Sequence, residues 1–213
     1  TQGRTTSYLG PQFDDTEIRA ALERRSVRYE TVENPAQTAA QHLEQGRIVA
    51  WFQGAMEFGD RALGNRSILA DPQRAETKDK INSMIKYREP YRPFAPVVPA
   101  DEVEKYFEVE SGFSCPFMEK VVPVRQEFRE TLGAVTHVDG SGRVQTVAEE
   151  DNPLFHALLR EFEALSGMPI VLNTSFNING EPIVLSPDDA ITTFFNSGLE
   201  VLVLGSQVLV KDH

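Results

Sequence analysis

The strongest constraint on the fold is a repeated alternation between short, continuous apolar runs and longer segments that begin with helix caps. Ile48-Val49-Ala50-Trp51-Phe52 is apolar throughout and ends at Gly54, and Pro169 to Leu172 is a second such run. Runs this short are strands buried on both faces. Val201 to Val210 reads as a hairpin around Gly205-Ser206. Between these runs lie helices. Asp14 caps one through about Arg25, with Glu17 placed to complete a capping box, and Asn34-Pro35 opens a second through Gln45. Asp71-Pro72 precedes a polar helix with Ile81, Met84 and Ile85 at helical spacing. Asn152-Pro153 opens a helix to Ser166 whose apolar stripe stops at Gly167, and Pro187 to Ser197 is closed by Gly198. Val135 to Val147 reads as two strands joined by Asp139-Gly140-Ser141-Gly142. Strands and helices interspersed without a clean βαβ repeat imply an α/β fold with a mixed sheet.

Charge is distributed unevenly over this frame. Residues 61–92 hold eight Lys and Arg against four acids, a balance of +4, in a chain of net charge −11, so the remainder carries −15. The segment from Lys86 to Pro96 packs Lys86, Arg88 and Arg92 together with Pro90, Pro93 and Pro96; with Pro99 the prolines forbid helix and favour a rigid, extended rim. A chain that repels anions overall yet concentrates cations in one segment points to a small anionic ligand, phosphate or carboxylate, and away from a nucleic acid backbone.

Three polar constellations are candidates for that site. In Glu57-Phe58-Gly59-Asp60-Arg61-Ala62-Leu63-Gly64-Asn65-Arg66-Ser67, Arg61 and Arg66 offer guanidinium forks suited to phosphate oxygens, or else are surface residues paired with Glu57 and Asp60. Asn173-Thr174-Ser175-Phe176-Asn177 follows an apolar strand, where α/β proteins place ligand loops, and Ser175 and Asn177 share a side if the segment stays extended. The plainer reading is a turn. In His137-Val138-Asp139-Gly140-Ser141-Gly142-Arg143-Val144-Gln145, Arg143 fits an anion ligand better than His137 fits a catalytic base, and His42, His156 and His213 show no zinc spacing with it. No Walker-type loop, G-x-S-x-G elbow or Cys–His pairing occurs. Ser175 has no base beside it in sequence, which favours hydrogen bonding over nucleophilic attack.

Length and apolar content suffice for a core without staples. The single cysteine, Cys115, fits a reducing, cytoplasmic setting. No apolar run reaches the ~20 residues that span a bilayer, and Thr1-Gln2-Gly3-Arg4 is not a signal peptide. With no initiator Met, the chain is expected to be processed or cut from something longer.

Four ordered motifs carry a family resemblance: Gln53 to Pro72, Lys86 to Pro96, His137-Val138-Asp139 with Arg143 to Val147, and Leu172-Asn173-Thr174-Ser175-Phe176-Asn177. Together they resemble the C-terminal domain of the nodulation and antibiotic O-carbamoyltransferases, which include the tobramycin and cephamycin enzymes. The match runs from about residue 46 to 213, leaving residues 1–45 as a connector and N-terminal helices packed on the domain. Lys86-x-Arg88 and Ser175-x-Asn177 also match the Lys-x-Arg and Ser-x-Asn pair of YrdC-type proteins, so the implied fold is a YrdC-like twisted mixed sheet flanked by helices.

The resemblance implies a domain that makes carbamoyl-adenylate from carbamoyl phosphate and ATP, the latter as its Mg²⁺ complex. A preceding actin/sugar-kinase-type domain, absent here, transfers the carbamoyl group to a hydroxyl. It implies catalytic roles for Arg61, Lys86, Arg92 and Arg143, and substrate or nucleotide binding by Arg66, Arg88, Asn173, Ser175 and Asn177. Neither a protein-held metal nor a nucleic-acid or membrane partner is expected. The alternatives are a threonylcarbamoyl-adenylate synthase serving tRNA modification, which needs threonine and bicarbonate, and a non-catalytic nucleotide-binding module. Carbamate attack on the α-phosphate brings two anions together, and the five cations Arg61, Lys86, Arg88, Arg92 and Arg143 would offset their repulsion.

Overall fold

In the computed structural model, which describes residues 6–89 and 91–211, the helix caps read from sequence open helices where expected. The first five residues of the connector, Pro90 of the cationic segment and His213 lie outside the described residues. The elements are α1 (Asp15–Arg24), β1 (Glu30–Thr31), α2 (Pro35–Glu44), β2 (Val49–Phe52), β3 (Arg66–Ala70), α3 (Thr77–Met84), β4 (Ala95–Pro99), α4 (Val103–Tyr106), β5 (Val121–Pro123), a 3₁₀ turn (Gln126–Phe128), β6 (Ser141–Arg143), β7 (Gln145–Val147), α5 (Pro153–Ser166), β8 (Val171–Ser175), α6 (Pro187–Phe195), β9 (Val201–Leu204) and β10 (Gln207–Val210). At α1 the Asp14 carboxylate accepts from the backbone N–H of Thr16 and Glu17 while the Glu17 side chain accepts from the Asp14 N–H. Ser186 and Asp189 form the same reciprocal box at α6. Asn34 and Asn152 cap α2 and α5, each followed by a proline at the first helical position, where a missing N–H costs nothing.

Eight strands form one sheet in the order β1-β10-β9-β2-β3-β8-β4-β7. The β9/β2 and β4/β7 pairs are parallel and the others antiparallel, so the sheet is mixed. Because side chains alternate across a strand, β2 sends Val49 and Trp51 into the core beneath α2 and α5, and Ala50 and Phe52 into the core beneath α1 and α6. All four are buried, which is why this run shows no polar alternation. The turn between β9 and β10 holds Gly205 at φ 59°, and a Cβ there would stand 2.4 Å from the Asp15 carboxylate. Among the described residues, no helix is long and apolar enough to cross a membrane.

The segment 135–147 departs from the expected hairpin. Val135 and Thr136 close a helical turn onto the carbonyl of Leu132, and His137 to Ser141 form a tight turn. The two strands that follow are β6 and β7, separated by Val144 alone and belonging to different sheets. β6 pairs with β5 in a small two-stranded ribbon, and β7 joins β4 at the edge of the large sheet. Arg143 and Gln145 therefore do not lie together on one arm of a hairpin. A further strand, β3, begins inside what sequence reads as a polar loop. Its fully buried position between β2 and β8 brings Ser67 opposite both Trp51 and Ser175.

Candidate active site

Arg61, Arg88, Arg92 and Arg143 meet around one cavity of about 500 Å³ at the end of β8 and the start of β4. Each comes from a different segment or position. Arg61 stands in the loop between β2 and β3, Arg88 and Arg92 in the connection from α3 to β4, and Arg143 at the end of β6.

The β2–β3 loop is organised by a buried carboxylate. Glu57 is 4% exposed, and its Oε1 accepts from the backbone N–H of Leu63 (2.7 Å), Asn65 (2.7 Å) and Arg66 (3.3 Å). Trp51 Nε1 donates to the Gly64 carbonyl and Tyr8 Oη to that of Leu63. Gly64 sits at φ 112° against the Phe155 ring, which a Cβ would approach to 2.2 Å, so no other residue fits there. With its inner turn fixed, the loop turns Asp60 and Arg61 outward to the cavity mouth, where they form a long, exposed pair at 3.7 Å.

Arg66 does not join them. Its guanidinium lies 3.5 Å over the Phe52 ring and donates to the carbonyls of Gln53, Gly54, Asn65 and Pro11. Burial pulls its pKa down to about 10, opposed by the Glu57 charge. The expectation that Arg66 offers a fork to phosphate is therefore corrected: this side chain has no exposed surface and ties the connector to β2 and β3.

Lys86 also stands apart from the cavity wall. Its Nζ lies 2.6 Å from the Ser175 carbonyl, 2.6 Å from Asn177 Oδ1, 3.0 Å from the Asn177 carbonyl and 3.2 Å from Ser175 Oγ. All four partners are protein oxygens, and through them the lysine holds the end of β8. Burial, and then the charge of Arg88, lower its pKa to about 7. Ser175 Oγ donates to Asn177 Oδ1 at 2.7 Å, so Lys86, Ser175 and Asn177 form one knot, of which Ser175 alone reaches the cavity. The amine nearest to Ser175 thus comes from 89 residues upstream, which the local sequence around the serine does not reveal.

The cavity is cationic and self-repelling. Arg88 lines the cavity, donates from Nε to Asn82 Oδ1 and lies over the Phe94 ring. Its pKa is lowered by burial, then by Arg92 and, more weakly, by Arg143; that of Arg143 is lowered by burial and then by Arg61. With Arg88 and Arg143 both disfavoured as cations by burial and by neighbouring guanidinium groups, the cavity is one that an anion stabilises. Asn173 lies at the floor, 2% exposed. His137, which sequence reading ranked below Arg143, also lines the wall; its Nδ1 is 3.1 Å from Ser141 Oγ and burial lowers its pKa. Phe94, Met118 and Thr174 also line it, and no sequence signal distinguished Met118. Among the described residues no group of three or more His, Cys, Asp or Glu comes together to hold a metal ion.

Comparison with known proteins gives a consistent set of likenesses. The carbamoyltransferase C-terminus family matches residues 40–211. The nodulation protein NolNO of Sinorhizobium fredii is 49% identical over 186 residues, which is 87% of this chain and 27% of that protein. A 3'-hydroxymethylcephem-O-carbamoyltransferase of Amycolatopsis lactamdurans is 39% identical, over 94% of this chain and 39% of the enzyme. The chain thus spans well under half the length of these curated relatives. Among solved structures, P. abyssi Sua5 complexed with L-threonine superposes with a TM-score of 0.55 at 19% identity, covering 83% of this chain and 48% of that one. At that identity the likeness concerns the fold, which is YrdC-like: a mixed sheet with helices on both faces.

Proposed function

Since the chain belongs to the carbamoyltransferase C-terminus family, we propose that it is the carbamoyl-adenylate-forming domain of an O-carbamoyltransferase. In this reading water cleaves carbamoyl phosphate to carbamate and orthophosphate. A carbamate oxygen then attacks the α-phosphorus of ATP, and the bond to the β-phosphate breaks with its electron pair leaving on pyrophosphate. The observation that carries the reading is the convergence of Arg61, Arg88, Arg92 and Arg143 on one cavity of a strongly acidic protein. Two anionic substrates repel each other, and fixed guanidinium groups offset that repulsion as charge accumulates on the transferring phosphoryl group.

Arg61 sits close enough to Arg143 to lower its pKa, and the pair suits a phosphoryl group held between them. Arg88, oriented by Asn82 and Phe94, suits the nucleotide phosphates with Arg92 at the mouth. Ser175 contributes hydrogen bonding from a rotamer set by Asn177 and Lys86, and no covalent intermediate is needed. Mg²⁺ enters with ATP as part of the substrate. Carbamoyl-adenylate then passes to a separate actin/sugar-kinase-like domain that carries the hydroxyl acceptor, in the cytoplasm.

The test is pyrophosphate release from ATP, with carbamoyl phosphate present or replaced by threonine and bicarbonate. The proposal expects release only in the first case. Release with threonine and bicarbonate would identify a threonylcarbamoyl-adenylate synthase, and ATP binding without release in either would identify a nucleotide-binding module.

A further inference from the structure

His137 is held in one tautomer by a chain of hydrogen bonds that ends on a carboxylate. The turn that bears it is closed twice: the His137 N–H donates to the Ser141 carbonyl at 2.7 Å and the Gly140 N–H to the His137 carbonyl at 2.9 Å. Gly140 stands at φ 82°, where a Cβ would come within 2.7 Å of the Arg129 guanidinium. Asp139 Oδ1 lies 2.6 Å from Ser141 Oγ and 3.0 Å from the Ser141 nitrogen. These bonds hold the Asp139 carboxyl below its ordinary pKa, so it is ionised and only accepts. The proton in the 2.6 Å contact is then that of the Ser141 hydroxyl. With that proton committed, Ser141 Oγ can only accept from His137 Nδ1, 3.1 Å away. Nδ1 therefore carries the imidazole proton, and Nε2 is left with a lone pair.

His137 lines the same cavity as Arg61 and Arg143. Its Nε2 receives no hydrogen bond from any described residue and, unlike Asn173 Oδ1, is not sealed from solvent. Burial is the first cause that lowers the His137 pKa; Asp139 raises it, and the charges of Arg143 and Lys78 lower it further. The ring is thus largely neutral at pH 7, a base and not an acid. A phosphoryl group bound beside Arg143 offsets those two cations, so the imidazolium becomes easier to form once substrate is in place.

From this we infer that His137 Nε2 is the general base for the water that cleaves the acyl phosphate, with Ser141 and Asp139 as positioning residues that keep the proton on Nδ1. The water oxygen bonds to phosphorus as its proton passes to Nε2. The bond from phosphorus to the carbamoyl oxygen breaks, its electron pair leaving on carbamate, and the imidazolium then gives its proton to solvent. Arg61 and Arg143 hold the phosphoryl group through the exchange. The inference rests on the reading of this cavity as a carbamoyl phosphate site and assigns its first step to a residue. Adenylation, the later step, needs no base, because carbamate arrives already ionised.

The experiment follows orthophosphate released from carbamoyl phosphate by the whole chain, above spontaneous breakdown, with α,β-methylene-ATP present as a nucleotide that cannot be adenylating. In H₂¹⁸O the label should enter the orthophosphate. The wild-type rate should rise with pH through a pKa below 6.5 and then level off. His137→Asn keeps a donor toward Ser141 and removes the base; it should lower the rate on the order of 10²- to 10⁴-fold and abolish that rise. With ATP, and with ammonium bicarbonate as an independent source of carbamate, the same variant should release pyrophosphate as the wild type does, whereas a merely structural role would depress release from both carbamate sources. No catalysed orthophosphate release by the wild type, orthophosphate without label, an unchanged rate in His137→Asn, or equal loss from both sources would overturn the inference. Should His137→Asn fail to melt cooperatively, His137→Gln is put through the same assays, and the wild-type label and pH profile still decide. Pyrophosphate absent from every source, with orthophosphate release still dependent on His137, would refute adenylation and leave the base standing.

Discussion

Replacing Lys86 by methionine keeps the length of the side chain and removes the ammonium that joins Ser175 to Asn177. Four oxygens lie within 3.2 Å of Nζ, and bonds to a charged donor contribute on the order of 1.5–3 kcal/mol each. Burial opposes them: the pKa falls from 10.5 to about 7, which at ~1.4 kcal/mol per unit makes the charged form cost roughly 5 kcal/mol in the folded state relative to the unfolded one. The sign of the pH dependence follows. Between about pH 7 and 10.5 the unfolded chain binds a proton that the folded chain does not, so this group makes stability rise with pH across that window and contributes no slope below it. Lys86→Met should therefore compare most favourably with the wild type near pH 6 and lose that advantage by several kcal/mol toward pH 10. Urea denaturation midpoints at pH 6, 7.5 and 9, with unchanged slopes, measure it. Other titrating groups are common to both proteins and cancel. A stability difference that does not vary with pH would refute the picture of Lys86 as a buried amine that gives up its proton near pH 7 in the folded chain.

Arg143→Ala should leave the free protein as stable as before or slightly more so, because it relieves repulsion on Arg61. It should also weaken carbamoyl phosphate or ATP binding by about 10- to 150-fold, the equivalent of one charge-assisted contact of ~1.5–3 kcal/mol; a stability loss instead would mark it as structural. Raising salt should weaken ligand binding in the wild type more than in this variant. Glu57→Ala leaves three buried backbone donors without their acceptor and should cost on the order of 2–5 kcal/mol in chemical denaturation; a loss below 0.5 kcal/mol would contradict its role in shaping the loop. Ser175→Ala should lower the rate without abolishing it, and mass spectrometry should find no carbamoyl adduct on the wild-type serine.

The α/β class, the caps of α1, α2 and α5, and the β9–β10 hairpin were legible because each rests on local chemistry: a cap side chain bonds two or three residues on, and a two-residue turn needs only its own glycine. The pairing of β6 with β5 and of β7 with β4 was not, because alternation tells which face a residue occupies and not which neighbour it meets. β3 was hidden by its opening Arg66-Ser67, polar residues that are buried because β2 supplies the Phe52 ring, the β2–β3 loop three carbonyls for the guanidinium, and Pro11 a fourth. The same limit governs the site. Clustered cations and the Ser175-x-Asn177 spacing marked its neighbourhood, and four arginines, Asn173 and Ser175 do share the cavity. Which charges line the cavity and which, like Lys86, lie among protein oxygens depends on partners 89 or more residues away.

The central claim is that the arginine cavity joins carbamate to the α-phosphate of ATP. Phosphorus NMR of this chain incubated with Mg²⁺, ATP and carbamoyl phosphate tests it directly, with ¹³C label in the carbamoyl group to follow the anhydride. The account predicts pyrophosphate and orthophosphate in equal amounts and a carbamoyl-adenylate signal that decays to AMP, each lost in Arg143→Ala at non-saturating substrate. ADP as the nucleotide product, or ATP left intact while it and carbamoyl phosphate are bound, would contradict it.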